Sequence, residues 1–300
     1  MYVIIDFMKR LLIVVLAVFL ACGAVFALDL DQYTKNFDNK AMWQTSLDEL
    51  EKLLPTASNQ EKAEIYWRMS LFACYIGSAQ EKTADMRTWY AKGIKYAELG
   101  MEADPTNRSC LLWHVACTGR DAQTRGLSSQ LNGVDTMLDD LDKIINQLGN
   151  TDYSEAWHAL GEIYWRHPFK STSSAVSFFR AAIDTIPKGE VRVVTYRCLA
   201  EALYSRNWSA KKRVSELASM QKKWTADKFK NNIEKYSVYE GRNGSSVKPV
   251  WTTVTLGEMS DRQEAKVILN YVKLLYEKSG VQGDAEAKDY QAVLDLLAKW

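Results

Sequence analysis

Proline and glycine are scarce, at five and fifteen in 300 residues. A β-rich chain of this length needs turn residues every 8–12 positions or so, so the shortage argues against sheets and for helices. Histidine is scarcer still, at three, too few to suggest acid–base catalysis. There is no Gly-x-Ser-x-Gly elbow, no Gly-rich phosphate loop and no His-Glu-x-x-His pair. A dominant charge sign is also missing: the formal net charge is +1. Phosphate backbones are met by clustered Lys and Arg, so a balanced chain gives no reason to expect a nucleic-acid partner. One local imbalance is 206–230, where eight basic residues (Lys211, Lys212, Arg213, Lys222 and Lys223 among them) face Glu216 and Asp227. A solvated helix face explains it; an anionic partner or membrane surface is the alternative.

What is present is ordinary globular material, 47% hydrophobic and 25% charged, enough for one large domain or two modest ones. The N-terminus differs. Lys9-Arg10 precede an apolar run from Leu11 to Leu20, followed by small residues, the layout of a secretory signal. Val25-Phe26-Ala27 fits cleavage after Ala27, which places the mature protein in a bacterial periplasm. Two rivals stand beside this. Phe19-Leu20-Ala21-Cys22 is a poor lipobox that would anchor the chain by lipid at Cys22, and an uncleaved membrane helix is the other. Past residue 27 no apolar run approaches the ~20 residues that span a bilayer.

Residues 157–187 carry a repeat unit: Trp157-x2-Leu160-Gly161-x2-Tyr164, then Ala175-x3-Phe179, Ala182 and Pro187. This resembles the tetratricopeptide (TPR) pattern W-x2-L-G-x2-Y…A-x3-F…P. Trp157, Leu160 and Tyr164 share a helix face at 3.6 periodicity. Gly161 is small where a second helix crosses, and Pro187 ends the unit. Weaker copies flank it. Tyr66-x2-Met69-Ser70-x2-Ala73 is paired with Gly93, Ala97, Gly100 and Pro105 across a hinge read as ten residues longer than usual. Leu112-x2-Val115-Ala116-x2-Gly119 precedes a helix around 131–148, and Tyr196-x2-Leu199-Ala200-x2-Leu203 leads to a basic helix from about Ser209. Tyr66, Leu112, Trp157 and Tyr196 are therefore equivalent, roughly 40 residues apart where the TPR period is about 34.

The expected architecture is an all-α, TPR-like superhelical solenoid of about four helix pairs with capping helices. Its divisions are a signal peptide over 1–27, an N-terminal cap over 28–60, repeats over 61–225, an irregular insertion over 226–259 and capping helices over 260–300. Ser260-x-x-Gln263 opens the last part as a capping box. Residues 237–257 are the longest stretch without helical periodicity, with a short strand expected at 250–255; such segments are usually functional or mobile.

The stretches Ala91-Lys92-Gly93-Ile94-Lys95-Tyr96-Ala97, Ala103-Asp104-Pro105-Thr106-Asn107 and Trp113-His114-Val115-Ala116 resemble a bacterial family over about 66–203. That family is the TRAP-transporter-associated TPR component (T component) of spirochaetes. The resemblance implies a periplasmic helical scaffold whose partner is the substrate-binding protein of an organic-acid or hydrophobic-ligand transporter. It carries over no functional residues.

In paired-helix solenoids the first helices line the concave face. The register turns Trp67, Trp113, His158 and Arg197 inward. Two turns on, the same face presents Cys74, Arg120, Trp165 and Tyr204, flanked by Tyr75 and Arg166, with Glu162 and Glu201 between. Aromatic and Arg groups of this kind dominate interface hot spots, although indoles at such positions also pack between repeats as core. Cys110-x3-His114-x2-Cys117 has metal-like spacing but no fourth ligand, so neither a metal nor a cofactor is expected. Cys74 with Cys110 or Cys117 could form a disulfide in an oxidising compartment; buried free thiols, for Cys198 as well, are the other reading. Glu162 and Glu201 as a glycosidase pair are better explained as equivalent repeat positions, so no catalytic residue is assigned. The function expected is non-enzymatic partner binding. Carriage of an apolar small ligand in the groove, or a generic envelope-assembly scaffold, is the alternative, and homo-oligomers are compatible with either.

Overall fold

The computed structural model describes residues 28–279 and 283–300, so the leader expected over 1–27 lies outside the described residues. These residues form thirteen helices and no strand, an all-α fold consistent with a helical solenoid. An N-terminal unit comprises α1 (Asp31–Asn36) and α2 (Trp43–Leu53). Three helix pairs follow: α3 (Asn59–Ser78) with α4 (Thr83–Ala103), α5 (Arg108–Arg125) with α6 (Leu127–Asp142), and α7 (Ser154–Arg166) with α8 (Thr172–Asp184). The helix α6 runs on as a π-helical turn, Lys143–Gln147.

Helix starts follow local chemistry. Ser58 caps α3 by accepting from the Glu61 amide while the Glu61 carboxylate accepts from the Ser58 amide, satisfying two otherwise orphaned donors. The Asn107 side-chain oxygen Oδ1 accepts from two amides of the first turn of α5. The capping box at Ser260 and Gln263 forms as expected. Between α3 and α4 there is no long hinge. The link is residues 79–82, and the additional residues lengthen the two helices instead.

Small residues set the helix crossings, within a pair and between neighbouring pairs. A Cβ on Gly161 would lie 2.6 Å from the Phe179 ring of α8. On Gly93 it would meet the Cys117 sulfur at 2.5 Å, and on Gly100 the Cys110 sulfur at 2.4 Å. Trp157 is fully buried, donates its indole N–H to the Thr151 carbonyl at 2.9 Å, and stacks on Tyr236 with centroids 4.3 Å apart.

The fourth pair departs from expectation. Helix α9 (Val193–Arg206) packs along α12 (Asp261–Ser279), not along the basic helix α10 (Ala210–Ala226). Asn207 turns the chain away in the left-handed conformation. Helix α10 packs on the 3-10 turn Tyr239–Gly241, where a Gly241 Cβ would lie 2.2 Å from the Met220 Cβ. The segment 226–259 is thus built into the fold. It contains α11 (Asn232–Tyr236), whose Tyr236 covers Trp157. The stretch 250–255 is bends and turns, with Val250 77% exposed, and no strand forms there.

The reason for this rearrangement is a buried ion cluster. Arg180, Arg213, Glu240, Asp261 and Glu264 are buried, as is the side chain of Arg206. Glu264 accepts from Arg180 at 2.7 Å and Arg213 at 2.6 Å. Glu240 accepts from Arg206 at 2.5 and 3.0 Å and Arg180 at 3.1 Å. Asp261 accepts from Arg206 at 2.8 and 2.9 Å. Three guanidinium groups balance three carboxylates, as a buried set must if desolvation is to be offset. Arg213 therefore leaves the basic run read as a solvated face and lies in the core.

Candidate functional site

The last helix, α13 (Asp284–Lys299), packs against α9 and α12 beside the face of the first helices. Near its start, Gly283 lies against the N-terminal unit, where a Cβ would come 2.6 Å from the Asp38 carboxylate. Midway, Asp289 accepts from Arg197 of α9 at 2.7 and 3.2 Å. At its end Trp300 stacks on Tyr204, centroids 3.9 Å apart and planes within 8°. The negative charges of Asp289 and Glu286 bear on Tyr75, and that of Asp289 on His158. Helix α13 thus packs on α9 and α12, and its acidic groups act on Tyr75 of α3 and His158 of α7. It borders the face the sequence reading assigned to a partner.

The eleven residues read as groove lining fall into three groups. Tyr75, Arg120, His158, Arg197 and Tyr204 face α13 or the space beside it. Glu162, Arg166 and Glu201 form ion pairs along the same face: Arg166 with Glu162 at 3.1 Å, Arg197 with Glu201 at 2.6 Å. The indoles differ. Trp67 donates to Glu64 at 2.8 Å beneath the Arg68 guanidinium, and Trp113 packs into the N-terminal core beside Tyr75. Trp165 lies half-buried against the C-terminal core with Arg166 over its ring. These three are mostly packing. Cys74, expected on the inner face, is buried instead, clustered with Cys117 and Tyr90.

Cys74, Cys110, Cys117 and Cys198 are all free and buried. Cys110 and Cys117 fill the notches left by Gly100 and Gly93, while His114 pairs with Asp140 at 2.6 Å. The 110/114/117 trio therefore does not converge on one point.

What stays open beside α13 is a pocket of about 430 Å³ lined by Ser78, Thr83, Met86, Tyr90, Arg120, Gln123, Thr124 and Lys288. Tyr90 and Ser78 hydroxyls lie 3.2 Å apart. Neither Arg120 nor Lys288 makes a hydrogen bond or ion pair among the described residues. Two uncommitted cations and several hydroxyls suit an anionic group. Farther along, His158, Glu162 and Cys198 gather within 4.8 Å. Burial pushes His158 down and Cys198 well up. Burial opposes ionisation of Glu162, but His158, Arg166 and Arg120 outweigh it and hold its carboxyl below the ordinary range.

Sequence reasoning missed Lys288, Asp289 and Trp300 because helical periodicity shows that a helix has an apolar face, not which neighbour covers it. Among the described residues no helix is long and apolar enough to cross a membrane. No curated protein matches the chain. The family described as regulator of microtubule dynamics protein 1-3 matches residues 30–189, the span from α1 through α8, and the chain belongs to that family.

Proposed function

We propose that the protein is a non-enzymatic helical scaffold that binds a partner protein through the open part of its inner face, beside α13. The observation that carries this is the pair of uncommitted cations, Arg120 and Lys288, in a hydroxyl-lined pocket. Cations left open in this way can meet a partner's carboxylates, the charge complementarity that gives an interface its specificity and on-rate. The lining is mainly polar, which favours a protein contact over apolar cargo. The leader-like pattern expected over 1–27 and the resemblance to the TRAP-associated T component make a periplasmic substrate-binding protein the first partner to try. The family description names microtubule dynamics, so tubulin is the second.

The test is binding of each purified candidate to the wild type, to Arg120→Ala/Lys288→Ala, and to the charge-matched Lys92→Ala/Lys266→Ala. Interface hot spots cost at least about 2 kcal/mol on truncation, roughly 30-fold in Kd. The groove pair should lose that much while the control stays within threefold. Equal binding by both variants would move the contact elsewhere. Binding of tubulin but not the periplasmic protein would overturn the transport reading.

A further inference from the structure

We propose that His158, Glu162 and Cys198 form a binding site for a divalent, borderline-soft metal ion such as Zn2+. His158 and Glu162 sit one turn apart on α7, and Cys198 projects from α9, the next first helix along the array. Their ligand atoms lie within 4.8 Å of one another. A tetrahedral zinc with bonds of about 2.0–2.1 Å to N and O and about 2.3 Å to S holds its ligand atoms about 3.3–3.7 Å apart. Rotamer adjustments of an ångström or so would close the set.

The hydrogen bonding distinguishes this trio from an ordinary buried polar cluster. Interior polar groups are nearly always satisfied, but here the valences are open. His158 Nδ1 is buried without a partner, and Nε2 stops 4.0 Å from Glu162 Oε2, beyond hydrogen-bond reach. Glu162 Oε1 takes Arg166 at 3.1 Å and the Cys198 thiol at a long 3.8 Å. Oε2 receives no hydrogen bond and remains available. An imidazole, a carboxylate oxygen and a thiol thus face one another with little else to bond.

The neighbouring cations do not close the site. Arg166 is held on Oε1, and Arg197 is saturated by Asp289 and Glu201 at 2.7 and 2.6 Å. Arg120 is the uncommitted cation nearby, and Asp289 offsets it as a further negative charge acting on His158. On binding, the Cys198 thiol releases its proton to solvent and the sulfur coordinates as thiolate. Water completes the fourth position. The donor set of one sulfur, one nitrogen and one oxygen suits zinc better than magnesium or calcium, which take oxygen ligands.

The test uses the full chain titrated with Co2+ as a spectroscopic stand-in, followed by displacement with Zn2+. A 1:1 complex with near-ultraviolet sulfur-to-cobalt absorption is expected. The band should vanish in Cys198→Ser and weaken in His158→Ala and Glu162→Gln, while Cys117→Ser retains it. Circular dichroism checks the fold of each variant. If a variant does not fold, X-ray absorption of the wild-type zinc complex decides, with one sulfur at about 2.3 Å and the remaining ligands N or O at about 2.0 Å. Two sulfurs would assign the ion to Cys74 and Cys117 and overturn the proposal. So would a cobalt band unaffected by Cys198→Ser, or no binding in competition with a weak chelator.

Discussion

Single atoms decide much at Gly161 and in the buried ion cluster. With the Phe179 ring 2.6 Å from any Cβ at Gly161, even Gly161→Ala forces a buried ring to shift, and Gly161→Leu cannot fit without separating α7 from α8. Overpacking of this kind costs about 1–3 kcal/mol, so the denaturant midpoint should fall for Ala and further for Leu. The cluster is more sensitive. Glu240→Ala leaves Arg180 and Arg206 buried beside an empty acceptor, and breaking a buried pair costs about 3–5 kcal/mol. An Arg213→Met/Glu264→Met double variant, which removes one charge of each sign, should cost less than the sum of its singles. Equilibrium unfolding of the four proteins measures the coupling. The thiols give a simpler readout: all four described cysteines are buried and free, so a thiol reagent should label them slowly in native buffer and quickly in denaturant.

Helices show what periodicity conveys and what it omits. The α3, α5, α7 and α9 spacing is legible because an amphipathic helix repeats its apolar residues, and Trp157 with Gly161 marks a helix crossing. Which helix fills a given groove is not encoded locally. Helix α10 follows α9 directly and carries apolar residues, yet α12 takes its place because Arg213 of α10 is drawn to Glu264 and Asp261. Helix α13 depends on its anchors in a way that can be measured. Trp300→Ala removes the stack on Tyr204, worth about 0.5–1.5 kcal/mol, and Arg197→Ala removes the bonds to Asp289. Each should speed amide hydrogen exchange in α13 well beyond any change in α5 or α7, and the double variant should speed it most. Uniform exchange across all helices would mean that α13 opens only with global unfolding.

For the whole molecule, pH dependence follows from the ion cluster. In Glu240, burial opposes ionisation but Arg206 and Arg180 prevail, holding its carboxyl far below the ordinary range; in Glu264, Arg180 and Arg213 do the same. Groups with depressed folded-state pKa values stabilise above the unfolded carboxylate pKa, about 4.3. That contribution is lost as pH falls from there toward the folded-state values. The unfolding midpoint should therefore be flat across neutral pH and drop steeply below about pH 4.5. Glu240→Gln, less stable at neutral pH, should show a shallower drop. An equal slope in both proteins would place the acid sensitivity elsewhere.

The sequence by itself determined the helical class and the capping box at Ser260 and Gln263. It could do so because propensity, capping and apolar period act within one or two turns of chain. Only the tertiary structure decided that Trp67, Trp113 and Trp165 are largely packing, that segment 226–259 belongs to the fold, and that α13 borders the face. Those outcomes rest on contacts between residues as far apart as Arg180 and Glu264, or Arg197 and Asp289. Charge complementarity and burial over such separations leave no periodic trace in the chain.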